Sequence, residues 1–309
     1  MKIDTSALVF PGQGSQKIGM GKDLYDNYAV AKDVFARVDD ALEFNLSEVI
    51  FGDNQEELNL TSNAQPAIMA TSIAYFEVLK KLGIIDIDNV KFMAGHSLGE
   101  YSALCAAGVL TLEDTAKLLK LRGQFMMQAC LENKGTMAAL IGADYDMAKR
   151  IADDCNCFVG NSNSPAQIVL SGSVESIEKA CDVAKAQGVK RAVILPVSGA
   201  FHSPLMQPAA DKMVDVINNT KFAMPDVNVI SNLTAGEYTN TDEIRDLLVK
   251  QITNTVKWQE SVRYMHEKGA NKFIEVGFGN ILSGLIKKTL DDVVIETSED
   301  LLKNYNEAI

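Results

Sequence analysis

The spacing of apolar residues changes period several times along this chain, and each change predicts an element. Ser6-Ala7-Leu8-Val9-Phe10 is a short apolar run cut off by Pro11-Gly12-Gln13-Gly14-Ser15-Gln16, the pattern of a strand that runs into a glycine-rich turn. A long helical pattern spans about 65 to 81. A second short apolar run, Val90-Lys91-Phe92-Met93, leads through a tight turn into helix-like Tyr101-Ser102-Ala103-Leu104. Strands separated by helices predict a parallel α/β sheet with its chemistry at the strand C-termini.

Residues 135 to 197 pattern differently. A strand is predicted over 136–141, a helix over 145–154, and two strands over 158–161 and 167–171 around the turn Asn163-Ser164-Pro165. A helix over 174–187 and a strand over 191–197 follow. This βαββαβ order is that of a ferredoxin-like split unit. The expected organisation is a large α/β domain built from 1–130 and 199–309, with 131–198 inserted as a small subdomain.

Composition narrows the functional classes. A formal charge of −12 argues against nucleic acid and against anionic membranes as partners, because both require basic surface. The start of the chain has no basic stretch followed by an apolar one, and no run of ~18 apolar residues occurs, so a cytoplasmic protein is expected. The cysteines, five in number, are widely spread without zinc-ligand spacing and read as reduced thiols.

The candidate chemistry starts at Gly95-His96-Ser97-Leu98-Gly99-Glu100. A strand, a Gly-x-Ser-x-Gly turn and a helix make a nucleophile elbow, so Ser97 is the candidate nucleophile. The bland alternative is a tight turn with a serine helix cap. A serine hydroxyl needs a base, and only three histidines are available. His96 adjoins Ser97, which directs its ring away, and His266 lies in a polar helical stretch. His202 follows the last strand of the small subdomain, in Gly199-Ala200-Phe201-His202-Ser203, where the chain re-enters the large domain at a cleft. On a helical wheel of 112 to 130, Arg122 projects into the arc of Ala116, Leu119, Phe125, Met126 and Cys130. An arginine aimed at a core needs an anion, either a buried carboxylate of the protein or one carried by a substrate.

With these landmarks the chain resembles the malonyl-CoA:acyl-carrier-protein transacylases, a family similar to the acyltransferase domains of polyketide synthases. The resemblance runs through Phe10-Pro11-Gly12-Gln13-Gly14-Ser15-Gln16, Gln65-Pro66-Ala67, Gly95-His96-Ser97-Leu98-Gly99-Glu100-Tyr101, Arg122-Gly123, Asn163-Ser164-Pro165, Gly199-Ala200-Phe201-His202-Ser203, Gln251 and Glu275-Val276-Gly277. It departs from the family at Asn254-Thr255, where Asn-Pro is usual, and at Phe278, where proline is usual.

The resemblance implies a hydrolase-like parallel-sheet core with the ferredoxin-like subdomain inserted, and an active site between them. It implies Ser97 as nucleophile, His202 as base, the amides of Gln13 and Leu98 as an oxyanion hole, and Arg122 as the holder of the malonyl carboxylate. Gln251 would support His202 through its carbonyl, while Phe201 and Asn163 would border the substrate. Implied too are malonyl-CoA and holo acyl carrier protein as partners and no cofactor. On charge alone, an acidic chain that binds an acidic partner needs a local basic patch; Lys80-Lys81, Lys190-Arg191 and Lys287-Lys288 are the candidates, and Lys190-Arg191 at the cleft is the docking expectation. A serine thioesterase or other hydrolase, a polyketide-type acyltransferase for a related acyl-CoA, and a non-catalytic carrier-protein binding module remain as alternatives. Against an ordinary α/β-hydrolase stands the absence of any histidine after 266.

Overall fold

The computed structural model describes residues 6–197 and 199–308. Its strands are β1 (Ser6–Phe10), β2 (Val90–Gly95), β3 (Gly135–Ile141), β4 (Phe158–Ser164), β5 (Gln167–Ser173), β6 (Arg191–Ile194), β7 (Asn228–Ile230), β8 (Val256–Lys257), β9 (Lys272–Glu275) and β10 (Val294–Thr297).

Five strands make a parallel sheet in the order β10-β9-β1-β2-β7. Parallel neighbours need crossover connections, which helices provide, and a strand covered on both faces reads as a continuous apolar run. Central β1 is buried at every residue. β1 and β2 end side by side, Phe10 opposite Gly95. The glycine-rich turn after β1 and the elbow after β2 therefore leave the sheet from adjacent points on its C-terminal edge, where open parallel sheets present their ligand sites.

The second sheet has the order β6-β3-β5-β4-β8. Helices Tyr145–Cys155 and Val174–Ala186 alternate with β3 to β6 in the expected βαββαβ order. The twofold alternation of strand side chains divides its faces. Ala138, Leu140, Ile168 and Leu170 pack with Ile151 and Ile177 of the two helices into a core of their own. Met137, Ala139 and Val169 point the other way and join the main core with Leu98, Met126 and Phe201.

Three details differ from the sequence expectation. β8 comes from outside 131–198 and pairs in parallel with β4, Asn161 opposite Val256; a strand of two residues leaves no alternation to detect. β4 continues through Asn163 and Ser164, whose polar character disguises strand, and turns only at residues 165–166. β6 stops at Ile194.

The helix Leu112–Glu132 is capped by the Thr111 hydroxyl, which accepts from the Asp114 N–H. Its Gly123 lies against helix Thr61–Lys81 so closely that a Cβ there would sit 2.6 Å from the Thr61 carbonyl oxygen. That contact brings Arg122 within reach of Gln65. Among the described residues no helix is long and apolar enough to cross a membrane, and no group of three or more His, Cys, Asp or Glu is placed to hold a metal ion.

Candidate active site

The elbow is shaped by backbone packing. Ser97 takes φ 55° and ψ −108°, a conformation that non-glycine residues avoid, directly before the helix Leu98–Ala106. A Cβ on Gly95 would lie 1.8 Å from the Gly99 carbonyl oxygen, and one on Gly99 would lie 2.2 Å from the Phe10 carbonyl oxygen. Only glycines permit so close a turn. Gly12 crowds the elbow from the β1 side, where a Cβ would meet the His96 carbonyl oxygen at 2.5 Å. The exposed Gln13 and the first helical residue, Leu98, thus follow two turns that touch.

His202, 4% exposed, brings Nε2 to 2.7 Å from Ser97 Oγ. Its other ring nitrogen, Nδ1, is 2.8 Å from the Gln251 carbonyl oxygen. A carbonyl only accepts, so Nδ1 carries the proton and Nε2 is left as an acceptor for the serine hydroxyl. Burial, reinforced by the nearby Arg122 charge, lowers the His202 pKa to about 3, which keeps the ring neutral. His202 also has a positive φ, 56°. Two side chains hold its loop, with the Ser171 hydroxyl donating to the Phe201 carbonyl at 2.6 Å and Ser203 to Ala200 at 2.6 Å. A surface cavity of about 400 Å³, bordered by Lys149, Phe158 and Asn254, reaches His202.

Arg122 is 1% exposed, as the helical wheel predicts, and Phe125 of the same predicted arc is only partly buried. Its side-chain partners are neutral. Nη1 donates to Gln65 Oε1 at 2.7 Å, and Nη2 donates to Gln251 Oε1 at 2.9 Å and to Ser97 Oγ at 3.2 Å. Burial lowers its pKa from the usual arginine value. A desolvated guanidinium bonded to uncharged oxygens, one of them a serine hydroxyl within hydrogen-bond distance of a histidine, is disposed to bind a carboxylate.

His96 takes no part in this contact. Its Nε2 lies 2.8 Å from Asn163 Oδ1 and its ring packs on Trp258 at 5.8 Å between centroids. Asn163, from β4, therefore ties the second sheet to the elbow, and Phe201 is buried in the main core. His266 is exposed. In the unusual loop after Gln251, the Thr255 hydroxyl donates to the Val159 carbonyl at 2.6 Å, which secures it without proline.

The sequence left other members of the site without a role. Asn232 accepts the Ser97 N–H on Oδ1 at 2.7 Å and donates from Nδ2 to the Gly95 carbonyl at 2.7 Å. Gln65 and Glu100 stand inside recognisable motifs, which was their only signal. Asn232 stands in none.

A model of the acyl transferase domain matches residues 7–306. The chain belongs to this acyl transferase family. The acyltransferase is 43% identical over 315 residues to the malonyl CoA-acyl carrier protein transacylase of Bacillus subtilis, covering 97% of this chain and 98% of that protein. The crystal structure of an acyl-carrier-protein-S-malonyltransferase from Bartonella henselae matches with a TM-score of 0.94 at 43% identity, over 98% of this chain and 99% of that one. A malonyl-transacylase in complex with a type II PKS acyl-carrier protein matches with a TM-score of 0.93 at 37% identity, over 97% and 100% of the two chains.

Proposed function

We propose that this acyltransferase moves the malonyl group of malonyl-CoA to the phosphopantetheine thiol of holo acyl carrier protein, through an ester on Ser97, and so supplies malonyl thioesters for fatty acid synthesis in the cytoplasm. The observation that carries this reading is the buried Arg122 guanidinium, 3.2 Å from a Ser97 hydroxyl that is itself 2.7 Å from His202 Nε2. An acyl group bound to that serine would carry its free carboxylate against Arg122.

In the first half-reaction Ser97 Oγ attacks the thioester carbonyl while His202 Nε2 takes its proton, which makes an imidazolium and a tetrahedral oxyanion. The amides of Leu98 and Gln13 receive the oxyanion, at roughly 3 kcal/mol per donor in comparable sites. The C–S bond breaks, and the CoA thiolate leaves with the proton from His202. The carrier-protein thiol then loses its proton to His202, attacks the serine ester and departs as malonyl thioester. Ser97 regains the proton. No step draws on a metal or redox group.

Arg122 accounts for the choice of acyl group. A malonyl carboxylate pairs directly with the buried cation, whereas an acetyl group leaves it bonded only to neutral groups, with the Glu100 carboxylate linked to it through Gln251. Phe201 narrows the space beside the acyl chain, and Asn163 borders it. We also propose the division of the chain into 1–130 with 199–309 and the inserted 131–198, because β3 to β6 and their two helices form a core of their own within that insertion, tied to the elbow through Asn163 and His96. The exposed Lys190 and Arg191 support docking of an acidic carrier protein at its rim.

The test is intact mass spectrometry of the protein with malonyl-CoA alone, then with holo acyl carrier protein added. A malonyl adduct is expected, absent in Ser97→Ala and transferred on addition of the acceptor. An adduct lost only to water would make the protein a hydrolase, and no adduct would return it to the class of binding modules. Arg122→Ala is expected to slow malonyl loading by roughly a hundredfold or more, the effect of leaving a charged partner unpaired, and acetyl loading far less. Equal losses for the two acyl groups would refute the carboxylate role.

A further inference from the structure

Glu100 lies buried beneath the elbow, on the helix that begins after Ser97, and no step above uses it. Its Oε1 accepts from the Asn232 backbone N–H at 3.0 Å and from the Tyr238 hydroxyl. Its Oε2 accepts from Gln251 Nε2 at 2.6 Å. Both neighbouring residues grip the Ser97 peptide, Asn232 at its N–H and Gln251 at its carbonyl, 2.9 Å from Nε2. With its amide nitrogen committed to Glu100 and Ser97, Gln251 turns Oε1 toward Arg122.

The direction of these bonds identifies the group required. A backbone N–H and a carboxamide NH2 only donate, so both oxygens of residue 100 must accept, and an ionised carboxylate meets that demand. A glutamine here would bring one NH2 of its own. Pointed at Asn232, it sets donor against donor. Pointed at Gln251, it makes that amide turn over, and Gln251 then offers NH2 to the Arg122 guanidinium, which cannot accept.

We infer that Glu100 is a positioning residue for acyl loading, whose ionised carboxylate fixes the facing of the Gln251 carboxamide and thereby keeps Arg122 aimed at Ser97. The inference rests on the roles proposed above for Ser97 and Arg122. It makes loading sensitive to the protonation of Glu100, because a proton on Oε2 would face the Gln251 NH2 donor to donor, and one on Oε1 would have to be taken by the Tyr238 hydroxyl, which then stops donating to the carboxyl.

Burial pushes the Glu100 pKa up to about 7, against the pull of Tyr238, Asn232, Gln251 and Arg122. The ionisable groups around it are Arg122 from helix Leu112–Glu132, Tyr238 from the segment after β7 and Tyr101 from its own helix. His202 is linked to it through Gln251 and, at about 3, stays neutral over the same range.

The experiment is rapid-quench mass spectrometry of malonyl-enzyme formation across about pH 5 to 9 for the wild type, Glu100→Gln and Tyr238→Phe. Glu100→Gln is expected to lose roughly ten- to a hundredfold in loading rate, with the near-neutral acid limb flattened. Tyr238→Phe, which removes one donor from the carboxylate, is expected to move that limb to higher pH. A Glu100→Gln enzyme that keeps the wild-type limb overturns the inference whatever its rate, since a merely structural carboxylate would leave the limb in place. If Glu100→Gln does not fold, an unmoved limb in Tyr238→Phe overturns it equally. A wild type that forms no serine adduct would instead sink the reading of Ser97, so the two failures are distinct.

Discussion

The elbow at Ser97 and the loop at His202 solve one problem by different means. Each holds a non-glycine residue at positive φ, 55° and 56°, and each presents a side chain to the other at 2.7 Å. The elbow is held mainly by backbone packed on backbone, through Gly95, Gly99 and the end of β1. The His202 loop is held by side-chain hydrogen bonds, including those from Ser171 and Ser203, and by the bond from the His202 ring to Gln251. Backbone contacts yield little and fail abruptly, whereas hydrogen bonds can be removed one by one at modest cost. The elbow is therefore expected to be brittle and the loop adjustable.

Gly99→Ala tests the brittle side and carries the largest expected effect. In an ordinary helix alanine is the better residue, by about 1 kcal/mol. Here its Cβ would lie 2.2 Å from the Phe10 carbonyl oxygen and 2.8 Å from that of Pro11, neither of which can move without displacing β1. Urea denaturation should show a loss of roughly 3 kcal/mol or more, together with loss of the serine adduct. A variant as stable as the wild type would mean that the elbow relaxes easily.

The loop's charge state gives a second test. His202 is lowered from 6.5 to about 3, so between those values the unfolded chain binds a proton that the folded one does not, and this group makes stability fall as pH falls from 6.5. Glu100 is raised from 4.5 to about 7 and acts with the opposite sign, its contribution being present below 4.5 and lost as pH rises through 7. Between about 4.5 and 6.5 the two groups nearly cancel. His202→Asn keeps a donor for the Gln251 carbonyl and suits a positive φ, but does not titrate. Relative to the wild type it should gain stability on acidification through that window, on the order of one kcal/mol per pH unit. Parallel stability curves for the two proteins would show that His202 titrates normally and is less enclosed than its geometry implies.

The same contrast explains what the sequence revealed. Ser97 and Arg122 were legible because their signals are local, glycine spacing in one case and helical periodicity in the other. The parallel sheet and the split unit were legible from changes in period. Asn232 reaches Ser97 across 135 residues and Gln251 reaches Glu100 across 151, and no local pattern encodes such a pairing. Glu100 stands inside the elbow motif, but its role was hidden, since on a helix start an acidic residue ordinarily signals favourable interaction with the helix dipole. Two-residue β8 was invisible for want of length.

The smallest expected effect belongs to Ser171→Ala, which decides whether the loop depends on the second sheet. Ser171 lies on β5, opposite Met137 of β3, and its hydroxyl bond to the Phe201 carbonyl fastens the residue before His202 to that sheet. Removing it should cost about 1 kcal/mol by urea denaturation, the usual value for one buried hydrogen bond. The imidazole keeps its bond to Gln251, so malonyl loading should slow only by roughly two- to fivefold, in kcat and with KM unchanged, as His202 spends less time aligned with Ser97. Ser203→Ala is the control, because its bond to Ala200 closes the loop on itself and makes no tie to the sheet. If Ser203→Ala slows loading and Ser171→Ala does not, the loop carries its own shape as the elbow does, and the distinction between a backbone-built elbow and a side-chain-held loop is lost. If Ser171→Ala is the slower enzyme, the second sheet sets the alignment of the base, and any partner that shifts this sheet also adjusts the rate of acyl transfer.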